Sequence, residues 1–182
     1  MTEDLKIEIT QASLISPDVQ KHINELDTLA FADDGIDNDP EFSNIHSWAS
    51  PDWMALGFLN KELVTQLSIP KRKIMVGLER IWVAGIGGVA THPNHHHKGY
   101  GSALLKATET FMRNEIRVPF GLLICADSTR PFYELACWQH VANLLFYQQE
   151  NQKHRLHTSV MILQLGNQTW PAGEIDLCGS PW

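Results

Sequence analysis

The sequence predicts a single α/β (α+β) domain spanning residues 1–182, with strands and helices around one core. Three observations predict it. The order of patterned segments is strands, helix, strand, helix, strands. The clearest helix, Tyr100 to Glu115, lies between two extended apolar runs, Ile81 to Thr91 and Phe120 to Cys125. The 182 residues contain no internal repeat, low-complexity tract or linker, and suffice for one sizeable core.

Leu5, Ile7 and Ile9 alternate with polar residues, as in a half-buried strand. Ser16-Pro17 gives an N-cap with proline at the first helical position, and Val19, Ile23, Leu26 and Ala30 follow at helical spacing. A helix is therefore predicted from about residue 17 to 30. Residues 33–40, rich in Asp, Asn, Gly and Pro, read as a loop, and 42–50 as loop or short helix. Trp53 to Leu59 and Leu63 to Ile69 read as strands joined by an Asn60-Lys61 turn. Pro70 to Lys73 marks a bend before a short strand, Ile74 to Val76. Gly85, Gly87 and Gly88 inside the next extended stretch signal a bulge or a close backbone approach. In the helix from Tyr100, Leu104, Leu105, Thr108, Phe111 and Met112 form one stripe, with Lys106, Glu109 and Arg113 opposite. Phe120 to Cys125 reads as a strand buried on both faces, Thr129 to Cys137 as a helix, and Val141 to Tyr147 and Thr158 to Leu165 as closing strands.

Composition narrows the function. A net charge of −7 argues against a general nucleic-acid binder, whose phosphate contacts need a basic face. No apolar run approaches the length of a membrane span, and the acidic start Met1-Thr2-Glu3-Asp4 has no secretory pattern. Three scattered cysteines suit a reducing compartment, so a cytoplasmic protein without membrane association, monomeric or homodimeric, is expected.

The segment from Gly87 to Leu105 is strand, short loop, two spaced glycines, then helix. The unpaired N–H groups and partial positive charge of a helix start form an anion site suited to a pyrophosphate, and Gly99 and Gly101 allow close approach. G-x-x-x-x-G-K-[ST] is absent, and G-x-G-x-x-G fails because position 104 is leucine.

Val89-Ala90-Thr91-His92-Pro93, the spaced Gly99 and Gly101, and Ser102-Ala103-Leu104-Leu105 resemble the acetyl-CoA-binding segment of GNAT N-acetyltransferases. His96 stands where that family usually has Arg or Gln. Ile124 to Asp127 followed by Pro131-Phe132-Tyr133-Glu134 resembles the family's later strand-to-helix segment, with Ala126 in place of a common asparagine and Cys137 in place of the usual glycine. The acidic, Trp-ended stretch Trp170 to Trp182 is similar to the tail of aminoglycoside 2'-N-acetyltransferases in the same superfamily.

The resemblance implies a mixed, mostly antiparallel sheet of six or seven strands flanked by helices. Two parallel strands, one ending near Thr91 and the other Phe120–Cys125, would splay to form the acyl-CoA cleft. It implies acetyl-CoA as cosubstrate. Val89, Ala90 and Thr91 would face pantetheine, and His96, His97, Lys98, Gly99, Tyr100, Gly101 and Ser102 would cradle the pyrophosphate. Val89 N–H would polarise the thioester carbonyl. Tyr133 would be the general acid, with Glu79, Asp127 or a tail carboxylate as candidate bases. The acceptor would be a small cationic amine, aminoglycoside- or polyamine-like, met by Asp34, Glu174, Asp176 and Trp182 with its carboxylate. The alternative for the tail is that Ile175, Leu177 and Trp182 merely pin it to the core. The alternative functions are a protein lysine or N-terminal acetyltransferase, and a non-catalytic acyl-CoA-binding regulatory domain. The run His92, His95, His96, His97 lacks the partners of a zinc motif and reads as a phosphate-side loop, so no metal is expected.

Overall fold

The computed structural model describes residues 4–31, 42 and 44–182. Within them the chain runs β1 (Lys6–Gln11), α1 (Pro17–Phe31), β2 (Trp53–Leu59), β3 (Glu62–Ile69), β4 (Lys71–Val76), β5 (Glu79–Thr91), α2 (Tyr100–Phe111), β6 (Phe120–Cys125) and α3 (Arg130–Glu134). It closes with β7 (Gln139–Val141), β8 (Leu145–Gln149), β9 (Gln152–Leu156), β10 (Ser159–Gln164) and β11 (Ile175–Asp176).

β5 is the branch point of the sheet. Its first half pairs antiparallel with β4, from Glu79 opposite Val76 to Ala84 opposite Lys71. Val83–Ile86 pairs parallel with Phe120–Leu123 of β6. Beyond that point β5 turns to β3, with Gly87 opposite Ser68 and Ala90 opposite Gln66. Two β5 residues, Gly88 and Val89, therefore face one β3 residue, Leu67, and Gly88 adopts φ +55°. This bulge is the local break that the glycines of the strand signal. β6 continues to Cys125 against β10 instead, so β5 and β6 part after Ile86 and Leu123.

The bulge also decides which layer each β5 side chain joins. Ala84, Ile86 and Val89 pack with Leu104, Leu105 and Met112 under α2. Ala90 packs with Ile23 and Leu26 of α1 on the opposite face. That opposite face is closed further along by residues 170–182. Ile175, Leu177 and Trp182 pack there with Val83, Phe120 and Leu122. The branch β4–β11–β8–β9 curls so that Leu145 and Tyr147 join the same cluster.

The sheet has eleven strands among the described residues, more than the six or seven expected, because several are short. The apolar stretch 141–147 is two strands, not one. β7 pairs with β10, while β8 pairs with β9 and β11, and Asn143 between them donates to the Gly173 carbonyl. Glu150 and Asn151, both at positive φ, make a β8–β9 turn that the sequence pattern did not reveal. Residues 45–50 are not helical. The helix from Tyr100 ends in a π-turn, Met112–Ile116, closed by Arg117 N–H donating to Met112 O. No helix among the described residues is long and apolar enough to cross a membrane.

Candidate active site

The opening between β5 and β6 leads to the N-terminus of α2. Gly99 precedes the helix at φ +81°, and no side chain caps the first turn. The N–H groups of that turn are therefore available to an anion. A Cβ built on Gly99 would meet no atom within 4 Å, so the space in front of the helix is clear. One at Gly101 would lie 3.2 Å from Thr91 Oγ1 and 3.7 Å from Phe132, so the glycine seats the helix against β5 and α3. These features fit a pyrophosphate cradle. Ser102, Lys98 and His97 are exposed around it, and Tyr100 is half-buried with its ring 5.9 Å from that of His95.

His96 faces the strand. Its Nε2 donates to Thr91 O at 2.7 Å, tying the loop to the end of β5. His92 Nδ1 accepts from Asn94 N–H at 3.2 Å, and His95 Nδ1 lies 3.5 Å from Lys98 Nζ. The histidine run thus shapes the loop through internal contacts. Among the described residues, no group of three His, Cys, Asp or Glu side chains is placed to hold a metal ion.

Tyr133 lies on α3, directly after β6, and is 7% exposed. It packs in the cluster of Ile86, Leu104 and Cys125, with edge contacts to Phe132 and Trp138. Burial, with a smaller effect of Cys125, raises its phenol well above the ordinary tyrosine value. The hydroxyl therefore stays protonated at any working pH. α3 stops because Trp138 N–H donates to Tyr133 O and Cys137 N–H to Glu134 O, with Cys137 at φ +66°. This is a Schellman ending, whose left-handed position favours glycine. Cys137 occupies that conformation, which fixes the backbone of Tyr133.

On the opposite face the two strand glycines meet Trp182. A Cβ at Gly85 would lie 2.3 Å from the indole Nε1, and one at Gly87 would lie 2.7 Å from the Trp182 carbonyl carbon. The indole donates to Leu122 O of β6 at 3.2 Å, and Arg72 stacks on the ring at 5.2 Å. Arg72 also donates to Ser180 O at 2.6 Å, holding the tail across the sheet. The close approach signalled by the glycines is thus made by a residue about a hundred positions downstream. Trp182 stands where β5 and β6 part.

The expected acidic groups do not gather at Trp182. Glu174 and Asp176 pair with Lys153, at 3.0 and 3.2 Å, beside the β8–β9 hairpin. Ile175 and Leu177 between and after them are fully buried, as the pinning alternative expects. Glu79 opens β5, at the end remote from Gly87, after which the bulge begins. At about 3.3 Å per strand residue the separation is roughly 26 Å, so the structure does not bring Glu79 to the cleft. Asp127 accepts from Ser159 Oγ at 2.5 Å beyond the end of β6. Asp34 lies outside the described residues.

Sequence reasoning missed the polar row from Gly87 towards α1. Ser68 Oγ lies 3.2 Å from a Cβ built on Gly87, and Gln66 is the next β3 residue on that face. Gln66 Nε2 donates to Asp27 Oδ1 at 2.6 Å and to Ile23 O at 3.2 Å. The available signal is the run of polar residues Thr65, Gln66 and Ser68 inside a strand that is otherwise Leu, Val and Ile after its first residue.

No curated protein matches the sequence. Several solved structures share the fold at low identity. The GNAT family N-acetyltransferase YhbS of Escherichia coli, solved in complex with CoA, superposes with a TM-score of 0.66 at 12% identity, over 98% of this chain and 92% of that one. ElaA of Escherichia coli gives 0.62 at 18% identity, over 87% and 99%. A GNAT family acetyltransferase of Brucella melitensis, in complex with acetyl-CoA, gives 0.54 at 13%, over 93% and 94%. The family model of the acetyltransferase (GNAT) domain matches residues 13–141, which include the splayed strands, the uncapped helix and Tyr133. The chain belongs to the GNAT acetyltransferase family.

Proposed function

We propose that this chain transfers the acetyl group of acetyl-CoA to a primary amine of a small cationic acceptor, the amine attacking the thioester directly. The carrying observation is the parting of β5 and β6 in front of an uncapped helix N-terminus. Family membership makes acetyl-CoA the cosubstrate. Its thioester supplies an activated acyl carbon, so the protein itself needs no nucleophile.

The chain's own residues then have three tasks. The loop and first turn from His96 to Ser102 bind phosphate through main-chain N–H groups. The main chain of Val89, Ala90 and Thr91 aligns the pantetheine arm, with Val89 N–H beside the acyl oxygen. An N–H fixed in place there favours developing negative charge without reorganisation. Tyr133, kept protonated by burial, donates to the departing sulfur, and the proton that the acceptor nitrogen loses as the amide forms restores the phenol through water. Trp182 closes the sheet on the acceptor side and forms the floor under the reacting amine. The acidic balance of the chain, −7, supports a cationic acceptor through steering.

The test is acetyl-CoA-dependent thiol release across polyamines, aminoglycosides and lysine or N-terminal peptides, with product mass as a second readout. Turnover with a small cationic amine is expected. Turnover confined to peptides would move the acceptor to proteins. Binding of acetyl-CoA with no release for any amine would make the chain a binding domain.

A further inference from the structure

We infer that Asp27 on α1, braced by Gln66 of β3, anchors a charged amine of a polycationic acceptor. This rests on the acetyl-transfer reading and extends it to the acceptor side. On the face away from α2, a continuous row crosses the sheet at the bulge. It runs from Trp182 over Gly87, to Ser68 beside Gly87, to Gln66 opposite Ala90, and on to Asp27 above Gln66. Gln66 and Ser68 are two residues apart on one strand, roughly 7 Å. The carboxylate is therefore joined through Gln66 to the β3 row that borders the β5 bulge.

Two groups at this corner are short of partners among the described residues: Asp27 has no cation and Gln66 Oε1 has no donor. Asp27 is half-buried and forms no ion pair with a described Lys, Arg or His. The charged α1 neighbours Lys21 and Glu25 pair with each other in solvent at 3.7 Å. Burial raises the Asp27 carboxyl above its ordinary value, and the Gln66 hydrogen bond offsets this only in part. Gln66 is 1% exposed, and its Oε1 has no hydrogen-bond partner. Its amide orientation is fixed, because Nε2 already serves two acceptors, Asp27 Oδ1 and Ile23 O. A buried acceptor without a donor pays its full desolvation cost. An uncompensated half-buried carboxylate adds to that cost.

A primary ammonium brings one positive charge and three N–H donors, which is what this corner lacks. The anchor holds a second amine of the acceptor while the reacting amine lies at Gly88, where a Cβ would meet Ser68 Oγ alone, at 3.9 Å. An acceptor with several amines would thus be read by charge at a distance from the chemistry.

The probe is spermidine, titrated calorimetrically into the protein loaded with CoA, with spermidine KM as the kinetic readout. Asp27→Asn keeps an oxygen acceptor for Gln66 and removes the charge. Spermidine Kd and KM should rise at least tenfold, acetyl-CoA affinity should not change, and Tm should hold or increase. Asp27→Glu should recover part of the affinity. If Asp27→Asn lowers Tm and leaves spermidine binding unchanged, Asp27 is structural and the inference is overturned. If the wild-type protein binds acetyl-CoA but not spermidine, the anchor is overturned while the cofactor reading stands. If it binds neither, the acetyl-transfer reading itself falls.

Discussion

Gly85→Ala should destabilise the protein through Trp182. The new Cβ would lie 2.3 Å from Nε1 and 2.4 Å from Cε2 of the indole, and 2.8 Å from Pro70 Cγ. Ordinary carbon contacts are about 3.5–4.0 Å, so something must retreat by more than about 1 Å. Pro70 is held at the β3–β4 junction, where its carbonyl accepts from Gly85 N–H at 2.7 Å. The rigid indole is the group that must leave. Overpacking of this kind costs about 1–3 kcal/mol, and losing the Trp182 bond to Leu122 O adds about 1 kcal/mol. The sum is about 2–4 kcal/mol, or a fall in Tm of roughly 5–15 °C for a domain of this size. Thermal and urea unfolding followed by circular dichroism would measure it. Trp182→Leu alone should cost about 2–4 kcal/mol by leaving a cavity. The double variant should cost less than the sum, with a coupling of about 1–2 kcal/mol, because the new methyl fills space the indole vacates. Additivity within about 0.5 kcal/mol would refute the contact.

Three further outcomes are expected. Gly101→Val should push against Thr91 Oγ1, at 3.2 Å from the Cβ position, and Phe132. Calorimetry should show acetyl-CoA affinity falling at least tenfold, and an unchanged affinity would remove the pyrophosphate cradle. Tyr133→Phe should lower kcat on the order of a hundredfold with little change in acetyl-CoA affinity. Because the Tyr133 phenol is raised, its proton is retained as pH climbs, and activity should show no alkaline loss from this group below about pH 10.

What the sequence made legible was local. β6 begins and ends where its apolar run does, and α2 begins where the spaced glycines place it, because composition and periodicity report directly on such segments. The glycines of β5 announced a bulge or a close approach, and the strand has both. One was supplied locally by Gly88 at positive φ, the other by Trp182 from the far end of the chain. No periodicity reports a partner at that separation. The same reason hid β11, whose two residues are a strand only because Met75, Val76, Leu145 and Phe146 flank them. Glu79 was read as a candidate base, but its distance from the bulge depends on β5 being one continuous strand from Glu79 to Thr91. Asp27 carried no signal of its own in the sequence, since its surroundings are made by Gln66 on another element.

The bulge at Gly88 acts as a phase slip in β5. Strand side chains alternate with a period of two, so one extra residue inverts every later position relative to the sheet. Upstream, even-numbered Ala84 and Ile86 belong to the α2 layer; downstream, that layer receives odd-numbered Val89 while Ala90 goes to α1. Removing residue 88 would therefore leave nearly all the chemistry of the sequence intact and turn Val89, Ala90 and Thr91 over together. Val89 would face α1, and the Thr91 side chain would lose its seat against Gly101. A single deletion in this strand is thus a different kind of change from any substitution in it. It exchanges the two faces of the sheet at the place where β5 and β6 part.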